Sequence, residues 1–144
     1  MPDDTTVALS TPGRASGALL VIRLVVGIMF AAHGAQKLFG FGLGGVIGFF
    51  TQAGIPVPVV TGPLITFLEL LGGLARVIGL LTRLAALGLA IEMLGAMLLV
   101  HLRNGFFLPQ GFEYTFVLIG VLVGIMLLGP GAYSADAAIA RRRA

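Results

Sequence analysis

The sequence contains no cysteine, and charged residues make up only 10% of its 144 residues. The absence of cysteine excludes thiol catalysis, disulfide bonds, thiolate zinc sites and iron–sulfur clusters held by this chain. An average soluble domain has about 25% charged residues, so this chain has too few to cover a water-exposed surface. Tryptophan is also absent, so an aromatic belt at a membrane surface depends on phenylalanine and on Tyr114 and Tyr133.

Apolar residues are in excess, with 58% of the chain hydrophobic and a mean hydropathy of +1.06. These residues must face lipid, because no soluble fold of this size could bury them all. A helix needs about 20 mostly apolar residues to cross the hydrocarbon core. Four stretches approach that length, so we predict an all-α membrane protein, an antiparallel bundle of four transmembrane helices. The predicted helices are 18–38, 58–81, 84–102 and 113–128.

The connections between these helices suggest a simple domain organisation. Thr82 and Arg83 form a very short turn, which requires an antiparallel helical hairpin. The first outer loop contains VIGFFTQAGI, which we expect to form a short interfacial helix on the membrane. We assign 1–17 to a disordered cytoplasmic tail, 18–130 to the transmembrane domain and 131–144 to a basic cytoplasmic tail.

Basic residues predict the orientation in the membrane. Arg14, Arg83 and Arg141–Arg143 lie on one side of a four-span topology, whereas Lys37 and Arg103 lie on the other. The positive-inside rule then places both termini in the cytoplasm. The arginine cluster at the C-terminus is interpreted as an anchor at anionic lipid rather than as a nucleic-acid site.

Several ionisable residues fall within the predicted helices, where each costs at least ~2.5–3.5 kcal/mol on insertion scales. Arg23, Glu69, Arg76 and Glu92 are spaced to lie inside the bundle, and we expect one network that neutralises all four charges. Such a network is either a polar pocket for a quinone, proton or small substrate, or a structural device that fixes helix register.

A second cluster is predicted near the outer face, for proton exchange or binding. His101 follows Glu92 by nine residues, so a regular helix points the two to opposite sides. Lining one cavity would therefore need a distortion near His101. No metal site is expected, since the Glu-x-x-His pairs of di-iron bundles are absent from the sequence. The cluster consists of His33, Lys37, His101, Asn104 and Glu113.

Five segments make the chain resemble the DoxX family of small bacterial membrane proteins. They are AAHGAQKLFGFG, AGIPVP, ELLGGLARVIGLLTRLAALGLAIEMLGA, VHLRNGFFLPQGFEY and LLGPGAYSAD, within 17–136. The resemblance implies a four-helix bundle in the bacterial cytoplasmic membrane, linked to quinone-coupled thiosulfate oxidation or to complexes that handle oxidative stress. It maps the family's motif onto His33, Gly34, Lys37, Glu69, Gly72, Gly73, His101, Asn104 and Gly105.

The resemblance and the buried charges together favour a redox-linked membrane subunit with no complete active site of its own. It would bind no cofactor covalently and would take a quinone, with His33 or Glu69 exchanging protons and Arg23 stabilising negative charge. Its partners would be the lipid bilayer and soluble oxidoreductases. The alternatives are a non-catalytic scaffold for such enzymes, or a proton-coupled permease that would need to form a homo-oligomer.

Overall fold

The computed structural model describes residues 12–143, and that range contains helices and no strand. Three helical stretches are long and apolar enough to cross a membrane, and a fourth apolar helix is shorter. This confirms the predicted all-α membrane fold. The helices are α1 (Pro12–Ala35), α2 (Gly42–Gln52), α3 (Pro58–Ile78), α4 (Thr82–Ala96), α5 (Glu113–Leu128) and α6 (Ala135–Arg143). Two π-helical segments, Gln36–Phe41 and Met97–His101, follow α1 and α4, and a 3-10 turn spans Leu102–Asn104.

Helices α1 and α3 pack in backbone contact, because glycines line their interface. A Cβ on Gly27 would lie 2.9 Å from the carbonyl oxygen of Gly73, and one on Gly34 would overlap the backbone of Leu70. Later residues of α1 therefore meet earlier residues of α3, so the two helices are antiparallel. Small residues permit this approach within a membrane.

The bundle has two distinct ends. The start of α1, the α3–α4 turn and α6 lie at one end, which we call the basic end because it carries Arg14, Arg83 and Arg141–Arg143. The opposite end holds both π-helical segments, α2 and the start of α5, and we call it the cavity end.

Helix α3 exposes apolar side chains and buries small, polar or charged ones, which is the reverse of a helix in a water-soluble protein. Its exposed positions include Leu64, Phe67 and Leu71, which matches a surface that faces lipid rather than water. The apolar core is supplied instead by α1, α4 and α5, through residues such as Phe30, Leu89 and Leu122. Every buried residue of α3 is small, polar or charged: Gly62, Thr66, Glu69, Gly72, Gly73 and Arg76.

The predicted boundaries need three adjustments. Thr82 and Arg83, predicted to form the turn, are the first residues of α4, and the turn lies at 79–81. Helix α1 already begins at Pro12, so 12–17 is helical, while the rest of the predicted N-terminal tail lies outside the described residues. Helix α3 ends at Ile78 rather than at 81, because Gly79 adopts a left-handed φ of 77°. The short helix expected in the first loop is present as α2, with Val46 and Phe50 buried.

Candidate functional site

Lys37 and Glu69 form an ion pair at the cavity end. Lys37 lies in the π-helical segment after α1, and Glu69 lies on the buried face of α3. The side chain of Glu69 is only 5% exposed and that of Lys37 is 21% exposed. This pair joins one residue of the predicted inner network to one residue of the predicted outer cluster.

Glu92 approaches the same point from α4. Its side chain is buried and lines the same cavity as Glu69 and Lys37. The three residues therefore bring two carboxyl groups and one ammonium group together at the cavity end.

A cavity of about 720 Å³ adjoins these three residues. Leu64 and Ile91 line it and are 59% and 62% exposed, so the cavity reaches the surface that faces lipid. A volume of this size suits a small organic ligand. Most of its lining is apolar, and its polar side chains are His33, Lys37, Thr61, Glu69, Glu92, His101, Tyr114 and Thr115.

Two histidines border the cavity with one ring nitrogen engaged. Nδ1 of His33 lies 2.9 Å from the carbonyl of Met29, and Nδ1 of His101 lies 3.0 Å from that of Gln110. Because a carbonyl only accepts, Nδ1 carries the hydrogen in each ring, which leaves Nε2 as the acceptor. Within residues 12–143, no group of three or more His, Asp or Glu side chains is placed to hold a metal ion.

The π-helical segment after α4 explains how His101 and Glu92 come to line one cavity. A π-helix has i→i+5 hydrogen bonds and so turns less per residue than an α-helix. The segment Met97–His101 therefore rotates His101 away from the side opposite Glu92, where a regular α-helix would place it. This is the distortion that the sequence left open, and such segments often mark functional sites.

Asn104 and Glu113, also predicted for this cluster, hold the neighbouring loop instead of lining the cavity. The amide nitrogen of Asn104 donates to the carbonyls of Val100 and Gln110 at 3.2 and 3.3 Å. Oε1 of Glu113 accepts the backbone N–H of Leu108 at 2.7 Å. Sequence reasoning missed Tyr114 and Thr115, whose only signal was their position at the start of α5.

Arg23 and Arg76 lie at the basic end, away from both carboxylates. Arg23 donates to the carbonyls of Pro130 and Tyr133, each at 2.7 Å, and Arg76 is fully buried. Neither guanidinium bonds to Glu69 or Glu92. The expected single network is thus corrected to two separate groups, because Arg76 is about 10 Å from Glu69 along α3.

Comparison with known proteins agrees with this architecture. The chain is 34% identical over 137 residues (87% of this chain, 83% of the relative) to an uncharacterised membrane protein of Mycobacterium tuberculosis. It is 32% identical over 102 residues (71% and 73%) to CatD of Bacillus subtilis, whose name marks it provisionally as an oxidoreductase. It is 32% identical over 123 residues (82% and 88%) to the inner membrane protein YqjF of Escherichia coli. No solved structure gives a significant match. The DoxX family model matches residues 18–102, and the chain belongs to the DoxX family of membrane proteins.

Proposed function

We propose that this protein is a redox-linked membrane subunit whose cavity binds the head group of a lipid-soluble quinone. The observation that carries the proposal is the cavity itself, which joins an apolar, lipid-facing opening to two carboxyls, an ammonium and two histidines. A quinone has the same division, with an apolar tail and a head group that exchanges protons. The provisional oxidoreductase name of CatD supports a redox role.

The chemistry assigns a task to each polar group. Reduction of a quinone to a quinol takes two electrons and two protons, and the electrons would come from a soluble oxidoreductase partner. Lys37 would stabilise negative charge that develops on a quinone oxygen. Arg23, which the sequence suggested for that task, lies at the basic end. Glu92 with Glu69 would deliver one proton, and His33 or His101 would deliver the second after its Nε2 has taken up a proton from the aqueous side.

The setting in the cell is part of the same proposal. The membrane would be the bacterial cytoplasmic membrane, as the name of YqjF indicates for that relative. The basic end would face the cytoplasm, which puts α6 and both termini on the side of soluble oxidoreductases. The cavity end would then face outward.

Quinone content is the direct test. The protein would be purified from native membranes in mild detergent, and the organic extract would be assayed for quinone. We expect quinone to be retained, and Glu92→Gln and Glu69→Gln to lower quinone-linked electron flow in membranes. Glu113→Gln is the matched control, because that carboxylate lies outside the cavity. Absence of quinone, together with unchanged electron flow in both cavity variants, would contradict the proposal.

A non-catalytic scaffold is the second candidate, and α6 favours it. This helix lies outside the apolar spans and carries three exposed arginines, Arg141–Arg143, in its last turn. Such a surface would suit the docking of a soluble enzyme. Co-purification of an oxidoreductase that is lost on deleting 137–144, with electron flow indifferent to Glu92→Gln, would favour the scaffold.

A further inference from the structure

The basic end contains two guanidinium groups inside the protein rather than on its surface. Arg23 on α1 is 3% exposed and Arg76 on α3 is fully enclosed. The guanidinium of Arg23 reaches the end of α3 that carries Arg76, since a Cβ on Gly79 would lie 2.8 Å from its central carbon. A cation in a water-poor interior is unfavourable unless an opposite charge accompanies it, and two adjacent cations are more so. Arginine does not relieve this by losing its proton.

Most of the hydrogen-bonding capacity of these two side chains is unused. Nε, Nη1 and Nη2 of Arg76 and Nε of Arg23 are buried and have no partner in the described part of the chain. Arginine nitrogens can only donate. The group that would complement this cluster is therefore an acceptor.

The charge balance sets the valence of that acceptor. Among residues 12–143, Asp136 is the acidic side chain within range of Arg23, and its two oxygens already accept the N–H groups of Leu81 and Thr82. Two guanidiniums and one carboxylate leave a net charge of +1. One monovalent anion would make the cluster neutral.

We propose that Arg76 and Arg23 bind a small monovalent inorganic anion of the chloride type at the basic end. The full enclosure of Arg76 favours a compact ion over the phosphate of a lipid head group, which would bring its glycerol and acyl chains with it. The anion would hold α1 and α3 together at the point where their charges repel. This site is separate from the cavity and does not depend on quinone binding.

Thermal unfolding of the full-length protein in detergent tests the site. Sodium chloride would be titrated against sodium gluconate at constant ionic strength, because gluconate is too large to be enclosed. We expect the melting temperature to rise with the logarithm of chloride concentration above the dissociation constant. Arg76→Gln should abolish that rise, whereas Arg83→Gln, an exposed arginine at the same end, should retain it.

Crystals of the wild-type protein grown in sodium bromide provide a second test, which does not depend on a variant. An anomalous bromide peak within hydrogen-bond distance of the Arg76 guanidinium would support the proposal. A melting temperature that is equal in chloride and gluconate would overturn it, as would stabilisation by inorganic phosphate but not by halide. The wild-type measurements decide the matter even if Arg76→Gln fails to fold.

Discussion

Lys37 forms an ion pair with Glu69 at the cavity end, where a second carboxyl group, that of Glu92, is also buried. Lys37→Met would leave Glu69 and Glu92 facing each other without it. Removing one partner of a buried ion pair costs roughly 3–5 kcal/mol, and we expect a loss of that order in the free energy of unfolding. The measurement is denaturant unfolding in detergent at neutral pH.

The double variant Lys37→Met, Glu69→Gln provides the control for that loss. Because Glu69→Gln removes the carboxylate that pairs with Lys37, the double variant buries no unpaired negative charge, so we expect Glu69→Gln to restore stability to Lys37→Met while lowering that of the wild type. Such a sign reversal is the signature of direct coupling in a double-mutant cycle. Simple additivity of the two losses would show that the pair does not act as the geometry indicates.

Asp136 connects α6 to the start of α4, where its oxygens accept the N–H groups of Leu81 and Thr82 at 2.8 and 2.9 Å. Burial by itself would raise the pKa of Asp136, but those N–H donors and the positive charge of Arg23 hold it below its ordinary value of 3.8. A lowered pKa means that the ionised carboxylate stabilises the fold. Asp136→Ala should therefore cost about 0.5–2 kcal/mol at pH 7, as for the loss of a helix cap.

The pH profile distinguishes this cap from a packing effect. Because the folded-state pKa is lowered, the contribution of Asp136 is complete above about pH 4 and disappears as the pH falls through the lowered pKa. We expect the stability gap between wild type and Asp136→Ala to narrow over that acid range. A gap that stays constant down to pH 3 in detergent unfolding assays would argue against the charged cap.

Sequence reasoning found which side chains are buried but not how they pair. The spacing of Glu69, Gly72, Gly73 and Arg76 predicts one buried face of α3, and the structure confirms it. The sequence, however, assigned Glu69 to the inner network and Lys37 to the outer cluster. A lysine side chain extends several ångströms from its backbone, and the π-helical turn at Gln36–Phe41 alters its direction. Neither effect can be read from hydrophobic periodicity.

At the scale of helices, the close contact between α1 and α3 depends on glycines, which have no side chain to keep the two backbones apart. Gly34→Ala would push a methyl group into the backbone of Leu70, where neither helix can yield without separating. Overpacking of this kind costs about 1–3 kcal/mol, and we expect lower thermal stability and lower yield. Gly120→Ala on α5 is the matched control, because its Cβ would meet nothing within 4 Å and alanine favours a helix by about 0.5–1 kcal/mol. Equal stability of the two variants would refute close packing at Gly34.

Helix positions were largely predictable, since each long apolar stretch marks a helix. The predicted fourth helix, 113–128, matches α5, and the short helix expected in the first loop is α2. The π-helical segments were not predictable, because predicting helices from hydrophobic periodicity assumes the α-helical period of 3.6 residues throughout. That assumption sets His101 opposite Glu92, whereas the structure places both on the cavity.

For the whole molecule, the two ends of one bundle hold charges of different kinds. The cavity end combines carboxyls with a lysine beside a lipid-facing opening. The basic end encloses two arginines under the segment that leads to α6. Proton exchange with a ligand needs groups that change protonation, which carboxyls and histidines do and arginine does not. The division of residue types therefore favours ligand chemistry at one end and fixed charge at the other.

The exposed basic residues predict the orientation of the protein in the membrane. Exposed Arg14, Arg83 and Arg141–Arg143 gather at the basic end, and basic residues are retained on the cytoplasmic side during insertion. Because the chain has no cysteine, single cysteines can be labelled without background from the protein itself. We expect Phe107→Cys, in the exposed loop at the cavity end, to react with a membrane-impermeant maleimide in intact spheroplasts. Arg142→Cys should react only after the membrane is permeabilised, and the opposite pattern would place the cavity end towards the cytoplasm instead.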